Sequence, residues 1–131
     1  MKHILLDTHT WVWSFAAETE LSKYASEVIA TADAVFVSPI SFYEVGQKVL
    51  LGKWPEMNEL IGSLPDILKE QGGLPAPFTP EICLHASLRD WAHRDPFDRF
   101  LASTAELMNV PLISKDTVFD TLPLLNRIWL K

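Results

Sequence analysis

An α/β fold, a three-layer α/β/α sandwich with a central mainly parallel sheet, is predicted by three short apolar runs and by the length of chain between them. The runs are "HILL" at 3–6, "AVFV" at 34–37 and "VPLIS" at 110–114, and none alternates apolar with polar residues. That lack of alternation marks strands covered on both faces. Helical segments long enough for crossovers separate the runs, which is the pattern of a parallel sheet with helices on both sides.

The elements follow in order along the chain. The first run is expected to be a strand ending at Asp7, with a first helical region around Trp11 and Trp13 and a second helix over 20–31. After the second strand, Ser38 and Pro39 supply an N-cap and a proline in the first turn. Ile40, Phe42, Val45 and Val49 then form a mostly apolar face that ends at Gly52. Residues 56–70 read as helix, and the Gly/Pro-rich "QGGLPAPFTP" at 71–80 as a connection with room for a short strand. Thr79, Pro80 and Glu81 open a helix expected to reach about Trp91. In "HRDPFDRF", 93–100, Asp95 fits the N-cap, Pro96 the first helical position and Asp98 the third. The buried face of that helix is predicted at Phe97, Phe100, Leu101, Thr104, Leu107 and Met108, with Asp98 beside the small Ala102 and Ala105. "RIWL" near the end would add an edge strand.

The 131 residues suit one domain, 1–131, with enough chain to bury about two-thirds of the unfolded surface. Apolar content of 48% with 21% charged residues is that of a globular chain. No run reaches the roughly 18 to 20 apolar residues that cross a bilayer, and Asp7 interrupts the place where a signal peptide is apolar, so the expectation is a cytoplasmic protein with no membrane partner. Cys83, the only cysteine, excludes an intrachain disulfide and a cysteine-rich zinc site, and is expected to be a buried helix residue. The net charge of -6 is the wrong sign for holding nucleic acid on a broad basic surface.

Functional groups in parallel sheets gather beyond the carboxyl ends of the strands. Asp7 in "ILLDT" and Asp116 in "LISKDT" occupy such ends, Glu44 lies about two turns into the helix after the second strand, and Asp98 in the first turn of the helix before the third. Each acid also has a plain structural reading. Asp7 and Asp116 would start turns, Glu44 would pair with Lys48 at i, i+4, and Asp98 would face the positive end of a helix dipole. Convergence of all four at one end of the sheet favours a site. Carboxylates so close repel unless protonated or neutralised by a cation, and a hard divalent ion with oxygen ligands, Mg2+ or Mn2+, suits aspartates and a glutamate without a histidine-rich set.

The blocks "LLDTHTWVW" (5–13), "SPISFYEVGQKVLLGKW" (38–54), "HRDPFDRFLASTA" (93–105) and "LISKDTVF" (112–119) together resemble the PIN domain, most closely the VapC-type toxin ribonucleases of bacterial toxin-antitoxin pairs. The resemblance implies a metal-dependent endoribonuclease, with Asp7, Glu44, Asp98 and Asp116 as the catalytic and metal-holding acids and a 5′-phosphate product. It selects Asp98 over Asp95 through "DRFLASTA", with Asp95 left as a secondary site residue and Arg99 as a possible contact to RNA. It implies a cognate antitoxin that places a basic side chain near the acids, an RNA substrate and a homodimer.

Direct catalytic roles for His9 and His93 are not expected, and most of the five tryptophans should pack in the core. Two other readings compete. A receiver-like phosphoacceptor domain needs two adjacent acids after its first strand, where this chain has "DTHT". A PIN-fold protein that binds without cleaving would keep the fold and lose the chemistry.

Overall fold

The computed structural model describes residues 2–131. Five parallel strands form one sheet: β1 (His3–Leu6), β2 (Ala34–Val37), β3 (Leu74–Pro75), β4 (Leu112–Ile113) and β5 (Arg127–Ile128), in the order β3-β2-β1-β4-β5. The chain builds outward from β1 to β3, then returns to the other side of β1. That places a topological switch between β1 and β4. Leu6 is in register with both Val37 and Ile113, so three strands end level with one another.

Strand alternation sorts the core into two layers. Ile4, Leu6 and Ile113 point to the side of helices α1 (Thr8–Ala16), α2 (Lys23–Thr31), α3 (Pro39–Leu50) and α4 (Leu64–Glu70), where Trp11, Val28, Val45 and Leu68 meet them. Leu5 and Leu112 point the other way, to Ala102 and Ala105 of helix α6 (Pro96–Met108) and to Phe119. Helix α5 (Pro80–Leu88) packs against α6. The expected sandwich is thus present, and every strand pair is parallel.

Several boundaries differ from the sequence expectation. The segment 20–31 divides into a 3-10 turn at Glu18–Glu20 and α2, because Ser22 caps a new helix by accepting from the Ala25 N–H at 2.9 Å. Over 56–70 only Leu64–Glu70 is α-helical, after 3-10 turns at Pro55–Met57 and Ile61–Ser63. Pro65 sits in the first turn of α4, where its missing N–H costs nothing. Helix α5 stops at Leu88 rather than Trp91, and the chain from 89 to 95 is irregular.

The face of α6 expected to be buried is covered except at Leu107 near its C-terminal end. Leu101, Ala102, Ser103, Thr104 and Ala105 are buried, whereas Leu107 is 51% exposed. The small alanines face the sheet because a helix laid closely on a β surface has no room for leucine there. Cys83 is only partly buried.

Candidate active site

Each acid enters the site through a local backbone requirement. Asp7 leaves β1 in an extended conformation and caps α1, its Oδ1 accepting from the Thr10 N–H at 2.8 Å. Asp95 caps α6 in the same way, accepting from the Asp98 N–H at 3.1 Å, so the N-cap, Pro96 and Asp98 fall in the register read from the sequence. Asp116 caps the 3-10 turn Thr117–Thr121, accepting from the Val118 N–H at 2.9 Å. Its own N–H donates to Ser114 Oγ at 3.1 Å. Capping and site placement are therefore combined in three aspartates, since N-caps at the carboxyl ends of parallel strands face the same space.

Glu44 reaches this space from inside α3. It is 7% exposed, accepts from Thr8 Oγ1 at 2.6 Å and from Lys48 Nζ at 2.9 Å, and Thr8 in turn shares a 2.8 Å hydrogen bond with Ser41. The i, i+4 pair with Lys48 thus exists, but on a carboxylate withdrawn from solvent and tied to the first turn of α1. A buried charge is tolerated when both oxygens are bonded, as here.

Asp7, Glu44, Asp95, Asp98 and Asp116 all border one cleft of about 410 Å³, together with Lys48, Lys115, His9 and Trp13. The electrostatics carry the mark of carboxylates withdrawn from water. Burial pushes the Asp7 carboxyl above its ordinary value, against the opposing hydrogen bonds of Ser114 and Thr10. Burial also pushes Asp98 up to about 6, opposed by the His93 hydrogen bond and assisted by the negative charges of Asp95 and Asp116.

His93 is the neighbour that sequence spacing did not reveal. Its Nε2 lies 2.7 Å from Asp98 Oδ2, five residues away across the turn that opens α6. The signal was the "HRDPFD" stretch, in which a histidine just before a capped helix can fold back on the first turn. Arg99, by contrast, turns from the cleft. Its guanidinium donates to the carbonyls of Ala86, Trp91, His93 and Arg89 at 2.8, 2.9, 2.9 and 2.6 Å, binding the irregular 89–95 segment to the end of α5. It therefore has its donors engaged in protein and none directed to the cleft that holds the acids. Asp120, outside the cleft, forms a two-pronged ion pair with Arg127 at 2.8 and 2.9 Å.

The donor set fits a hard cation held sparingly. Among the described residues no three His, Cys, Asp or Glu side chains stand close enough to cage a metal ion. The cleft nevertheless offers carboxylate oxygens with little cationic compensation, and burial raises two of them. Magnesium commonly binds through one or two carboxylates and keeps its waters, so this arrangement fits it better than a closed all-protein cage.

Residues 4–124 match the family described as PIN domain. Among solved structures, VapBC2 from Rickettsia felis bound to a DNA fragment from its promoter is similar at a TM-score of 0.64 with 17% identity, covering 97% of this chain and 98% of that one. VapBC-1 from nontypeable Haemophilus influenzae matches at 0.63 with 18% identity, over 98% and 97%. FitAcB from Neisseria gonorrhoeae matches at 0.52 with 17% identity, over 95% and 96%. At such identities these likenesses establish the shared fold. No curated protein matches the sequence significantly.

Proposed function

The chain belongs to the PIN domain family, and from that premise we propose that it is a magnesium-dependent endoribonuclease acting as the toxin of a toxin-antitoxin pair. The observation that carries the reading is the convergence of Asp7, Glu44, Asp98 and Asp116, from four separate segments, on one cleft at the switch point of the sheet. A bound magnesium or manganese ion would supply charge neutralisation at the phosphate and acidify water for an in-line displacement at phosphorus.

The residues divide the remaining work. Asp7 and Asp98 would hold the ion, their carboxylates fixed by the backbone of α1 and by His93 respectively. Asp116 and Glu44 would orient the attacking water, with Glu44 kept in place by Thr8 and Lys48. Lys115, at the edge of the same cleft, meets phosphate oxygens. Asp95 closes the first turn of α6 so that Asp98 faces the cleft.

Likeness in fold to the VapBC structures supports an antitoxin partner for this chain. An acidic cleft also gives such a partner a means of inhibition, since an arginine or lysine can take the place of the cation. The fold and the small size are compatible with a homodimer in a cytoplasmic complex.

Purified protein incubated with single-stranded RNA is expected to cleave it in magnesium, to stop in EDTA and to resume when magnesium or manganese is restored. Binding of RNA without cleavage under every metal condition would instead identify a silent binding module. The product of a small neighbouring gene should co-purify and block cleavage. Full activity in its presence would remove the toxin-antitoxin part of the reading.

A further inference from the structure

The cleft has a second wall that is aromatic rather than acidic. His9 and Trp13 lie four residues apart on α1, hence on one face of that helix, and both border the cleft. The His9 ring stacks on Trp54 with centroids 4.9 Å apart and 28° between planes, and meets Trp13 at 5.6 Å. Lys48, bound to Glu44, lies over the Trp54 ring at 5.4 Å, so the aromatic group and the acids share a side chain. Trp13 and Trp54 pack in part against the core, and neither is enclosed by it. The inner face of α1 is filled by Trp11 and Val12, whereas His9 is exposed and Trp13 and Trp54 are half-buried.

We propose that His9 and Trp13, backed by Trp54, form a stacking subsite for one unpaired nucleobase of the substrate, beside the acids. The inference rests on the nuclease reading and adds a source of affinity that the charges do not provide. With a net charge of -6 and Lys48 already paired to Glu44, the protein has few free cations near the cleft with which to hold a polyanion. Stacking on aromatic faces needs no positive charge and accepts any base with an exposed π surface. Position agrees with this role. Asp7 and His9 are two residues apart and border the same cleft, so a base on His9 would belong to a nucleotide near the phosphate at the ion that Asp7 would hold. Bases inside a duplex have both faces occupied, and the subsite therefore selects single strands or loops.

The test uses the full chain carrying Asp98→Asn, which keeps RNA intact, in magnesium buffer. Its tryptophan emission is titrated with a hexameric single-stranded oligoribonucleotide and with a set of hexamers that are abasic at each position in turn. One abasic position should weaken binding about tenfold, equivalent to 1.4 kcal/mol, and His9→Ala should cost about the same. In the His9→Ala protein that abasic position should cost no more than twofold. Trp13→Leu should abolish most of the quenching, and the abasic series on unaltered His9 and Trp13 stands even if that variant fails to fold. Equal affinity for every abasic hexamer, or no binding of any hexamer, would overturn the subsite. Emission that responds to a basic peptide but to no oligonucleotide would overturn it in favour of a protein contact. Base-dependent binding by a wild-type protein that never cleaves RNA would uphold the subsite and reject the nuclease. Cleavage with no base dependence would do the reverse.

Discussion

Replacing Asp98 with asparagine removes one charge from the acidic cleft while preserving shape and the ability to accept from His93 at 2.7 Å. In wild type the Asp98 carboxyl is raised from 3.8 to about 6, first by burial. An unfolded chain ionises this group near pH 4 and the folded chain near pH 6, so stability falls as pH rises across that window, and the whole cost is present at pH 7. At 1.36 kcal/mol per pKa unit the shift corresponds to about 3 kcal/mol. The side chain is 24% exposed, and solvent screening reduces this to about 1.5 kcal/mol. For a domain of this size that is a rise in Tm of about 6 °C in the variant.

Thermal unfolding in EDTA, measured from pH 4 to pH 8, checks the reasoning. Asp98→Asn should be more stable than wild type at pH 7, with the gain shrinking steadily as pH falls from 6 towards 4, where the folded carboxyl is protonated. Added magnesium should raise the Tm of wild type and leave the variant nearly unchanged, because the ion stabilises the state that binds it. A variant no more stable than wild type at pH 7, or a gain independent of pH, would refute the assignment of crowded, desolvated charge at this position.

Other perturbations separate framework from chemistry. Arg99→Ala should destabilise by about 2–3 kcal/mol in urea unfolding, because it strips carbonyls of Ala86, Arg89, Trp91 and His93 of their donor, and Arg99→Lys should recover less than half. Ala105→Leu should cost about 1–3 kcal/mol by forcing α6 off Leu5 and Leu112, which calorimetry would register as a lower Tm. Glu44→Gln should lower the cleavage rate at least tenfold while changing stability by no more than about 1 kcal/mol, since the Thr8 hydrogen bond survives and loss of the pair with part-exposed Lys48 is offset by removal of a buried charge.

The sandwich was legible because buried parallel strands announce themselves as unbroken apolar runs, and β1, β2 and β4 all fall within the three runs named. The register of α6 was legible for a different reason. Asp-Pro is a strong start signal, and it fixed Asp98 at the third helical position to the residue. Helical periodicity placed Leu101 and Thr104 on the buried face of α6 and set the small Ala102 and Ala105 beside it, and it failed at Leu107, because it weighs hydrophobicity and not the depth of the contact. The 3-10 turns within 55–63 escaped because single turns carry no periodicity.

For the site, Asp7 and Asp116 were legible as residues at strand ends and Glu44 and Asp98 as residues of the flanking helices, and the cleft brings the four together. The partners that set their behaviour were not. Thr8 reaches Glu44 from 36 positions away, and the Arg99 clamp depends on where the 89–95 segment folds back. His93 was a near miss. No direct catalytic role was expected of it, yet the turn carries its ring to Asp98.

The central claim is that Asp7 and its companion acids make this cleft a metal-dependent nuclease. It is tested most directly by following 5′-end-labelled RNA with wild type and Asp7→Asn in magnesium, alongside circular dichroism of both proteins. Chelator-sensitive cleavage by wild type, with loss of at least a hundredfold in a folded Asp7→Asn protein, is the predicted result. Cleavage by Asp7→Asn at the wild-type rate, or by wild type in EDTA, would contradict it.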